Sequence, residues 1–159
     1  MAINGVDTQL VTVTVDAAPA GVPAGSPEVI NCVMSLGDYK QVRNTTDYEC
    51  MSSNDSSVGI GSIKRDPLSF ELLYNEEASD GQQILKSSFD TNTPVEISIE
   101  FDNADVSVGP TGAVGTTLTG LMGITEFNMP MPKDGKVGAN FSLAFLEAPT
   151  LSEMIPGTV

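Results

Sequence analysis

The chain has 159 residues, of which 21 are Asp or Glu, seven are Lys or Arg and none is His, so its net charge is −14. This excess of acidic residues weighs against binding of double-stranded nucleic acid, because proteins contact its phosphates through clustered Lys and Arg. The lack of histidine excludes Ser-His and Cys-His catalytic pairs and imidazole metal ligands. The length is typical of one domain that buries about 70% of its extended surface, and acidity alone accounts for good solubility.

The amino-terminal third contains two predicted strands. Residues 10–15 alternate between apolar and polar side chains, and residues 29–36 are apolar enough for a core strand. Residues 16–27 form a Pro- and Gly-rich connector between them. Residues 37–57 are polar and longer than most structureless connections, so we expect a long loop with a function. No Lys or Arg precedes Lys40 and no long apolar run occurs, so neither a secretory signal nor a membrane span is predicted.

The middle of the chain is predicted to form a strand, a helix and a second strand. Residues 67–74 alternate, with Leu68, Phe70, Leu72 and Tyr74 on one face. In residues 75–89 the apolar residues recur at the spacing of a helix. The helix is predicted to end before Pro94, because proline disfavours the helical conformation of the residue that precedes it. Alternation resumes in residues 95–101. Such a helix must bury its apolar stripe against a sheet.

The predicted helix has a recognisable start. Asn75 is of a type favoured as an N-cap, and Glu76 and Glu77 follow where the helix dipole favours negative charge. Its core-facing side chains are predicted to be Ile84, Leu85 and Phe89.

The carboxy-terminal third adds two longer strands. Residues 118–129 form a strand with Gly120 and Gly123 inside it, which indicates bulges or close backbone approach. A turn containing Asp134 and Gly135 leads into a last strand at 137–146. Residues 102–117 form a Gly-rich loop and residues 152–159 a terminal tail. The sequence therefore predicts a mainly β domain with six or seven strands and one helix.

Candidate chemical sites are few. Cys32 and Cys50 match no zinc spacing and are interpreted as reduced thiols of a cytosolic product, with a disulfide between them as the alternative. Residues 102–109 superficially resemble a calcium loop, through Asp102, Asn103, Asp105 and Gly109, but lack its terminal bidentate Glu.

Glu96 and Glu100 share a strand face, but they lie about 13 Å apart, too far for a glycosidase pair. We therefore predict no catalytic residue, no metal and no cofactor.

One resemblance emerges from the order of elements over residues 58–151. It rests on Gly61, on the Ser-Phe-Glu-Leu run at 69–72, on Gly-Gln-Gln-Ile-Leu at 81–85 with Phe89, and on the strand at 97–101. Gly120 and a last strand ending near Ala-Pro-Thr at 148–150 complete it. This order resembles that of the major tail tube proteins of long-tailed, siphovirus-type bacteriophages.

The resemblance implies an antiparallel β-sandwich or barrel with one α-helix packed on its outside. Such subunits form six-membered rings that stack into a hollow tube, through which double-stranded DNA passes without specific binding. The implied partners are further copies of the chain and the tape-measure, tail terminator and tail tip proteins. The implied location is the virion tail, after assembly in the host cytoplasm, with no membrane contact and no enzymatic activity.

Alternatives remain open at this stage. They are a tail terminator, a head–tail connector, a decoration protein, a tube subunit of a contractile or type VI system, a β-sandwich binding module and an unrecognised enzyme.

Two further sets of residues follow from the tube interpretation. Acidic side chains are expected to line the channel, with Glu96 and Glu100 as leading candidates and Glu71, Glu126 and Asp66 as alternatives, although an outer, solvent-facing position is equally open. Contacts between stacked rings are expected from the polar segment 37–57, through Tyr39, Lys40, Arg43, Asp47, Tyr48 and Glu49.

Overall fold

A computed structural model describes residues 11–17, 27–49, 56–77, 80–104, 107 and 109–159. Within these ranges the chain forms ten strands and one helix, more strands than the six or seven predicted. In chain order they are β1 (Val11–Asp16), β2 (Glu28–Val29), β3 (Val33–Leu36), β4 (Gln41–Glu49), β5 (Ser56–Arg65), β6 (Leu68–Leu73), α1 (Gly81–Thr91), β7 (Val95–Phe101), β8 (Thr117–Asn128), β9 (Gly138–Phe145) and β10 (Thr150–Ser152).

Eight of these strands form one antiparallel sheet, in the order β2-β1-β7-β8-β9-β6-β3, with β10 paired to β8. β8 joins two halves of this sheet. Its first six residues pair with β7 and six of its last seven with β9, and the register shifts between Ile124 and Glu126. A bulge of this kind bends a strand and increases its twist. The two halves therefore fold over one another as a sandwich.

The core lies between the two halves. Alternate residues of β1, β6, β7 and β9 point into it, as the period-2 pattern of these strands predicts. Apolar side chains from both halves and from α1 form one buried cluster, which consists of Val13, Val15, Ile30, Leu68, Phe70, Leu72, Leu85, Val95, Ile97, Ile99, Leu118, Met122, Ala139, Phe141 and Leu143. The predicted antiparallel sandwich with one helix is confirmed.

The predicted strand at 29–36 is wrong as a single element. β2 ends at Val29 and β3 begins at Val33, and these two strands lie at opposite edges of the sheet. Cys32 between them has a φ of 58°, in the left-handed region, which turns the chain. Ile30 N donates to Val13 O in β1 (2.9 Å), while Cys32 O accepts from Leu73 N in β6 (3.1 Å). Residues 30–32 thus connect the two edges at one end of the sandwich.

The two edges separate beyond this crossover. A depression of about 720 Å³ opens between β1 and β3, with apolar side chains on its walls, among them Val11, Leu36, Leu68, Ile99, Phe101 and Leu118. Within the described residues the sheet is consequently not closed into a barrel, and its edge strands have backbone groups without a strand partner there.

The helix begins later than predicted. Asp80, not Asn75, is the N-cap of α1, and its side chain accepts from Gln82 N at 3.0 Å. Asn75 instead donates from Nδ2 to Asp80 Oδ2 at 2.9 Å. Glu76 and Glu77 precede the first turn, which contains no acidic residue, so their predicted dipole interaction is also wrong.

The helix core prediction is partly confirmed. Leu85 is fully buried in the sheet core, and Ile84 packs against that core from a partly buried position. Phe89 is 38% exposed, which contradicts its predicted burial, and its ring lies 6.3 Å from that of Phe127. α1 ends at Thr91, two residues beyond the predicted end, because Asn92 adopts the left-handed conformation (φ 52°) of a helix C-cap.

The expected loop at 37–57 is instead largely a strand. β4 occupies residues 41–49 and pairs with β5, so the segment is one arm of a long hairpin. The carboxy-terminal segment is not a free tail either. Ile155 and Thr158 form antiparallel bridges to Val114 and Thr111 in the Gly-rich loop. The central part of the connector, residues 18–26, lies outside the described residues.

Candidate functional site

The outward face of β1, β7, β8 and β10 carries rows of small hydroxyl groups. One row crosses all four strands at a single level, because Thr14 lies opposite Ser98, Ser98 opposite Thr119, and Thr119 opposite Thr150. Ser98 Oγ and Thr119 Oγ1 are 3.2 Å apart, and Thr14 Oγ1 donates to Ser98 O at 3.4 Å. The face is therefore polar where the opposite face of the same strands is apolar.

Glu96 and Glu100 flank this row on β7. Both are half-buried and lie on the outward face, since Val95, Ile97 and Ile99 between and beside them point into the core. Glu96 lies opposite Asp16 of β1, which places two carboxylates at one level. Glu100 Oε1 accepts from Gly115 N at 3.2 Å. The structure thus brings the two leading channel candidates together on one polar surface.

The three alternative channel candidates lie elsewhere. Glu71 is opposite Asn140 and Glu126 is opposite Ser142, so both are exposed on the outward face of the other half of the sheet. Asp66 lies at the base of the hairpin, where its Oδ2 is 3.6 Å from Lys40 Nζ. The five acidic residues therefore occupy three separate regions.

The β4–β5 hairpin is the second candidate functional feature. It forms a sheet of its own, separate from the eight-stranded one, and every residue of β4 is exposed. Asp66 N donates to Lys40 O at 3.1 Å and closes its base. Two strands that are not covered by a core are marginally stable in water. A hairpin of this length, with every residue of β4 exposed, is therefore a candidate surface for contact with another molecule.

The six residues expected at contacts between rings are not equivalent. Tyr39 lies against the body, with its ring 5.5 Å from that of Phe145 and its hydroxyl accepting from Gln41 Nε2. Lys40 forms the ion pair at the hairpin base. The other four, Arg43, Asp47, Tyr48 and Glu49, lie along β4 and are exposed. Tyr48 lies on the face opposite to that of Arg43, Asp47 and Glu49.

Sequence reasoning missed β5 and its apolar residues. Val58, Ile60 and Ile63 are all exposed on that strand. Between Ser57 and Ser62, Val58 and Ile60 alternate with two glycines, which is a pattern that predicts a strand. The pattern was not used because the predicted loop ends at Ser57, directly before it.

The remaining candidate sites gain no support from the geometry. Asn103 of the supposed calcium loop is engaged by Thr116, whose N donates to Asn103 Oδ1 at 2.7 Å, and Asp105 lies outside the described residues. Among those that are described, no group of three or more acidic, Cys or His side chains could hold a metal ion. Cys32 is exposed, and Cys50 lies outside the described residues, so the interpretation of both as reduced thiols, with a disulfide as the alternative, stays a prediction.

In the described part of the chain, no helix is both long enough and apolar enough to span a membrane.

No family model matches the sequence, and no curated protein matches it either. Several solved structures are similar to the chain. The chain is similar to a protein of the SPP1 tail tube, with a TM-score of 0.67, 12% identity, and coverage of 94% of this chain and 81% of that chain. It is similar to a protein in the tail of an empty gene transfer agent particle with C6 symmetry, with a TM-score of 0.62, 16% identity, and coverage of 95% and 99%.

A third similar structure belongs to the 6-fold symmetrised baseplate of the anti-feeding prophage. Its TM-score is 0.68 at 11% identity, and the match covers 96% of this chain and 98% of that chain. The TM-scores establish a shared fold in spite of the low identities, and the coverage shows that the shared fold extends over nearly the whole chain. The protein therefore has the tail tube fold, an antiparallel β-sandwich with one helix, as in the SPP1 tail tube.

Proposed function

We propose that this protein is a tail tube subunit, a structural component that polymerises as stacked six-membered rings and conducts DNA into a host cell. The observation that carries the proposal is the tail tube fold over 94–96% of the chain. The C6 symmetry of one similar tail and the 6-fold symmetry of the similar baseplate support six copies in each ring. The role is architectural, so no catalytic residue or cofactor is invoked.

Open sheet edges support assembly. β2, β3 and β10 end the sheet on three sides, and each is short. An unpaired edge promotes aggregation in a monomer but becomes useful when it is covered by a neighbouring copy. In a closed ring the same contact repeats around the symmetry axis and leaves no free edge.

The channel wall in this proposal is the polar face of β1, β7, β8 and β10, with Glu96 and Glu100 as its acidic residues. Six copies, each with net charge −14, carry −84 in total. Carboxylates on the wall repel phosphates, so DNA slides instead of adhering. A wall of Lys and Arg would bind DNA through phosphate contacts, each of which strengthens binding in a salt-dependent way.

The hairpin supplies the contact between successive rings. It extends the subunit beyond its core, and its exposed residues Arg43, Asp47, Tyr48 and Glu49 are available to a neighbour. A tape-measure protein occupies the channel during growth, and terminator and tip proteins close the tube ends. The proposed location is accordingly the virion tail, after assembly in the host cytoplasm.

A second candidate is a tube subunit of a contractile injection system, because the chain is also similar to a protein of the sheath-tube complex of PVC, an extracellular contractile injection system, with a TM-score of 0.62 and 12% identity. Both candidates share the ring and the tube and differ in the presence of a sheath.

Electron microscopy and sedimentation of the purified protein at high concentration test the proposal. Hollow tubes or six-membered rings support it, and a protein that stays monomeric contradicts it.

A further inference from the structure

The two inner strands of the polar face, β7 and β8, present six outward side chains, which we call the central strip. The residues that alternate with them, such as Ile97, Ile99 and Leu118, are buried in the core. The pairing register brings the outward residues of the two strands side by side. The central strip consists of Glu96, Ser98 and Glu100 on β7 and Thr117, Thr119 and Leu121 on β8.

Three of these six side chains carry a hydroxyl group, which bears on the proposed passage of DNA. Phosphate oxygens only accept hydrogen bonds, and Ser and Thr are among the side chains that donate to them in complexes with DNA. In a ring of several copies, free hydroxyl protons on the wall would be repeated around the channel. Such a wall would hold DNA at many points.

The hydroxyl protons of the central strip are used inside the protein. Thr117 Oγ1 donates to Gly115 O at 3.0 Å. Ser98 Oγ and Thr119 Oγ1 are 3.2 Å apart, so one of them donates to the other. On the adjacent strand β1, Thr14 Oγ1 likewise donates to a backbone oxygen, Ser98 O, at 3.4 Å. One of the three hydroxyl protons of the central strip therefore remains for a molecule outside the protein.

The other three side chains of the central strip offer no donor. Glu96 and Glu100 only accept when they are ionised, and Leu121 has no polar atom. Glu100 Oε1 accepts from Gly115 N at 3.2 Å, which holds this carboxylate at the end of the strip. The exposed hydroxyls of Thr12 and of β10 lie outside the strip, on its two sides. The middle of the polar face is thus rich in acceptors and poor in donors.

We infer that the central strip keeps DNA from adhering through the direction of its hydroxyl protons as well as through its charge. This inference deepens the proposed function and rests on it, because it requires the polar face to be the channel wall. The two effects differ in their response to salt. Repulsion between carboxylates and phosphates is screened beyond about 3 Å at 1 M salt, whereas hydrogen bonds inside the protein persist. The wall therefore stays non-adhesive at high salt.

A pair of substitutions on the central strip tests the role of the donors. Ser98→Asn with Thr119→Asn adds amide donors to the strip and leaves the net charge unchanged. Ser98→Ala with Thr119→Val is the matched control, because it removes both hydroxyls at the same positions and adds no donor. Both pairs lie on the outward face, so neither variant changes a residue of the buried core.

The measurement uses tubes assembled from the full chain and from each variant. The tubes are mixed with a short fluorescent DNA duplex and sedimented at about 0.05 M and about 1 M salt. We expect unmodified and control tubes to retain no DNA above background at either concentration. We expect the Asn variant to retain several-fold more DNA at about 1 M salt, where carboxylate repulsion is screened. Equal retention by the Asn variant and the control overturns the inference.

The salt series on unmodified tubes tests the inference without any substitution and separates it from the proposed function. Tubes that form normally but retain DNA at about 1 M salt overturn the inference and leave the tube assignment intact. An unmodified chain that forms no tube in electron micrographs contradicts the proposed function, and the inference with it.

Discussion

Asp80 and Asn75 are joined by a hydrogen bond of 2.9 Å, from Asn75 Nδ2 to Asp80 Oδ2, five residues apart at the start of α1. The same oxygen accepts from Asn31 Nδ2 at 2.9 Å, and Asp80 Oδ1 accepts from Gln82 N. The buried carboxylate thus caps the helix and fixes it to the crossover at residues 30–32. Asp80 shares this role with Gln82, whose Nε2 donates to Asn31 O at 3.2 Å and to Leu73 O at 2.7 Å.

Removing this acceptor destabilises the protein. Asp80→Ala loses the N-cap, for which a cost of about 0.5–2 kcal/mol is usual, and leaves the amides of Asn31 and Asn75 without this acceptor, for a further cost of about 1–3 kcal/mol. Asp80→Asn also destabilises the protein, because an amide nitrogen in the place of Oδ2 faces the amide donors of Asn31 and Asn75. Chemical denaturation measures the free energy of unfolding of both variants. A free energy of unfolding unchanged in Asp80→Asn contradicts the two-oxygen arrangement.

Leu85→Ala tests the contact between helix and sheet. Leu85 is fully buried, and its truncation costs about 2–5 kcal/mol through lost transfer free energy and a cavity. Phe89→Ala is the control, because Phe89 is 38% exposed at the end of the same helix. We expect Phe89→Ala to cost less than Leu85→Ala in the same denaturation series. The reverse order would show that the helix is rotated relative to the sheet.

Shortening the hairpin tests its assembly role. Deletion of residues 44–53 removes most of β4 and none of the described residues of the buried core. We expect the thermal unfolding of the body to be retained while tube elongation, followed by light scattering, is lost. A shortened chain that elongates at the parental rate assigns ring stacking to another surface.

Charge reversal tests the channel wall. Glu96→Lys with Glu100→Lys, in particles that still assemble, places cations on the polar face, and we expect slower DNA release at low salt, where screening is weakest. The matched control, Glu71→Lys with Glu126→Lys, makes the same charge change on the other half of the sheet. Slower release in the control, with parental release in the first variant, assigns the wall to the other half.

The main strands and the helix were predictable because one of their faces is buried. β6, β7 and β9 alternate strictly, and their register follows the apolar residues. β4 was missed because neither of its faces is buried in the subunit, so no alternation marks it. The break at Cys32 arises from a left-handed residue that is not glycine, which sequence patterns seldom reveal.

The candidate site was only partly predictable. The shared face of Glu96 and Glu100 follows from strand periodicity, but the polar row through Thr14, Ser98 and Thr119 requires knowledge of which strands are neighbours. The face of β5 on which Ile63 lies depends on a bulge between Ile60 and Ile63, and a one-residue change of register moves every later side chain to the other face. Asn75 and Asp80 are both favoured as N-caps, and only the tertiary contact with Asn31 distinguishes them.

The most direct test of the tube assignment is electron microscopy of the purified, unmodified chain, concentrated until assembly is complete. The tail tube fold and the exposed hairpin predict hollow tubes of stacked rings, with six copies related by rotation in each ring. Image averaging also locates β7 relative to the central channel. Solid filaments, rings of another symmetry or a persistent monomer would contradict the account.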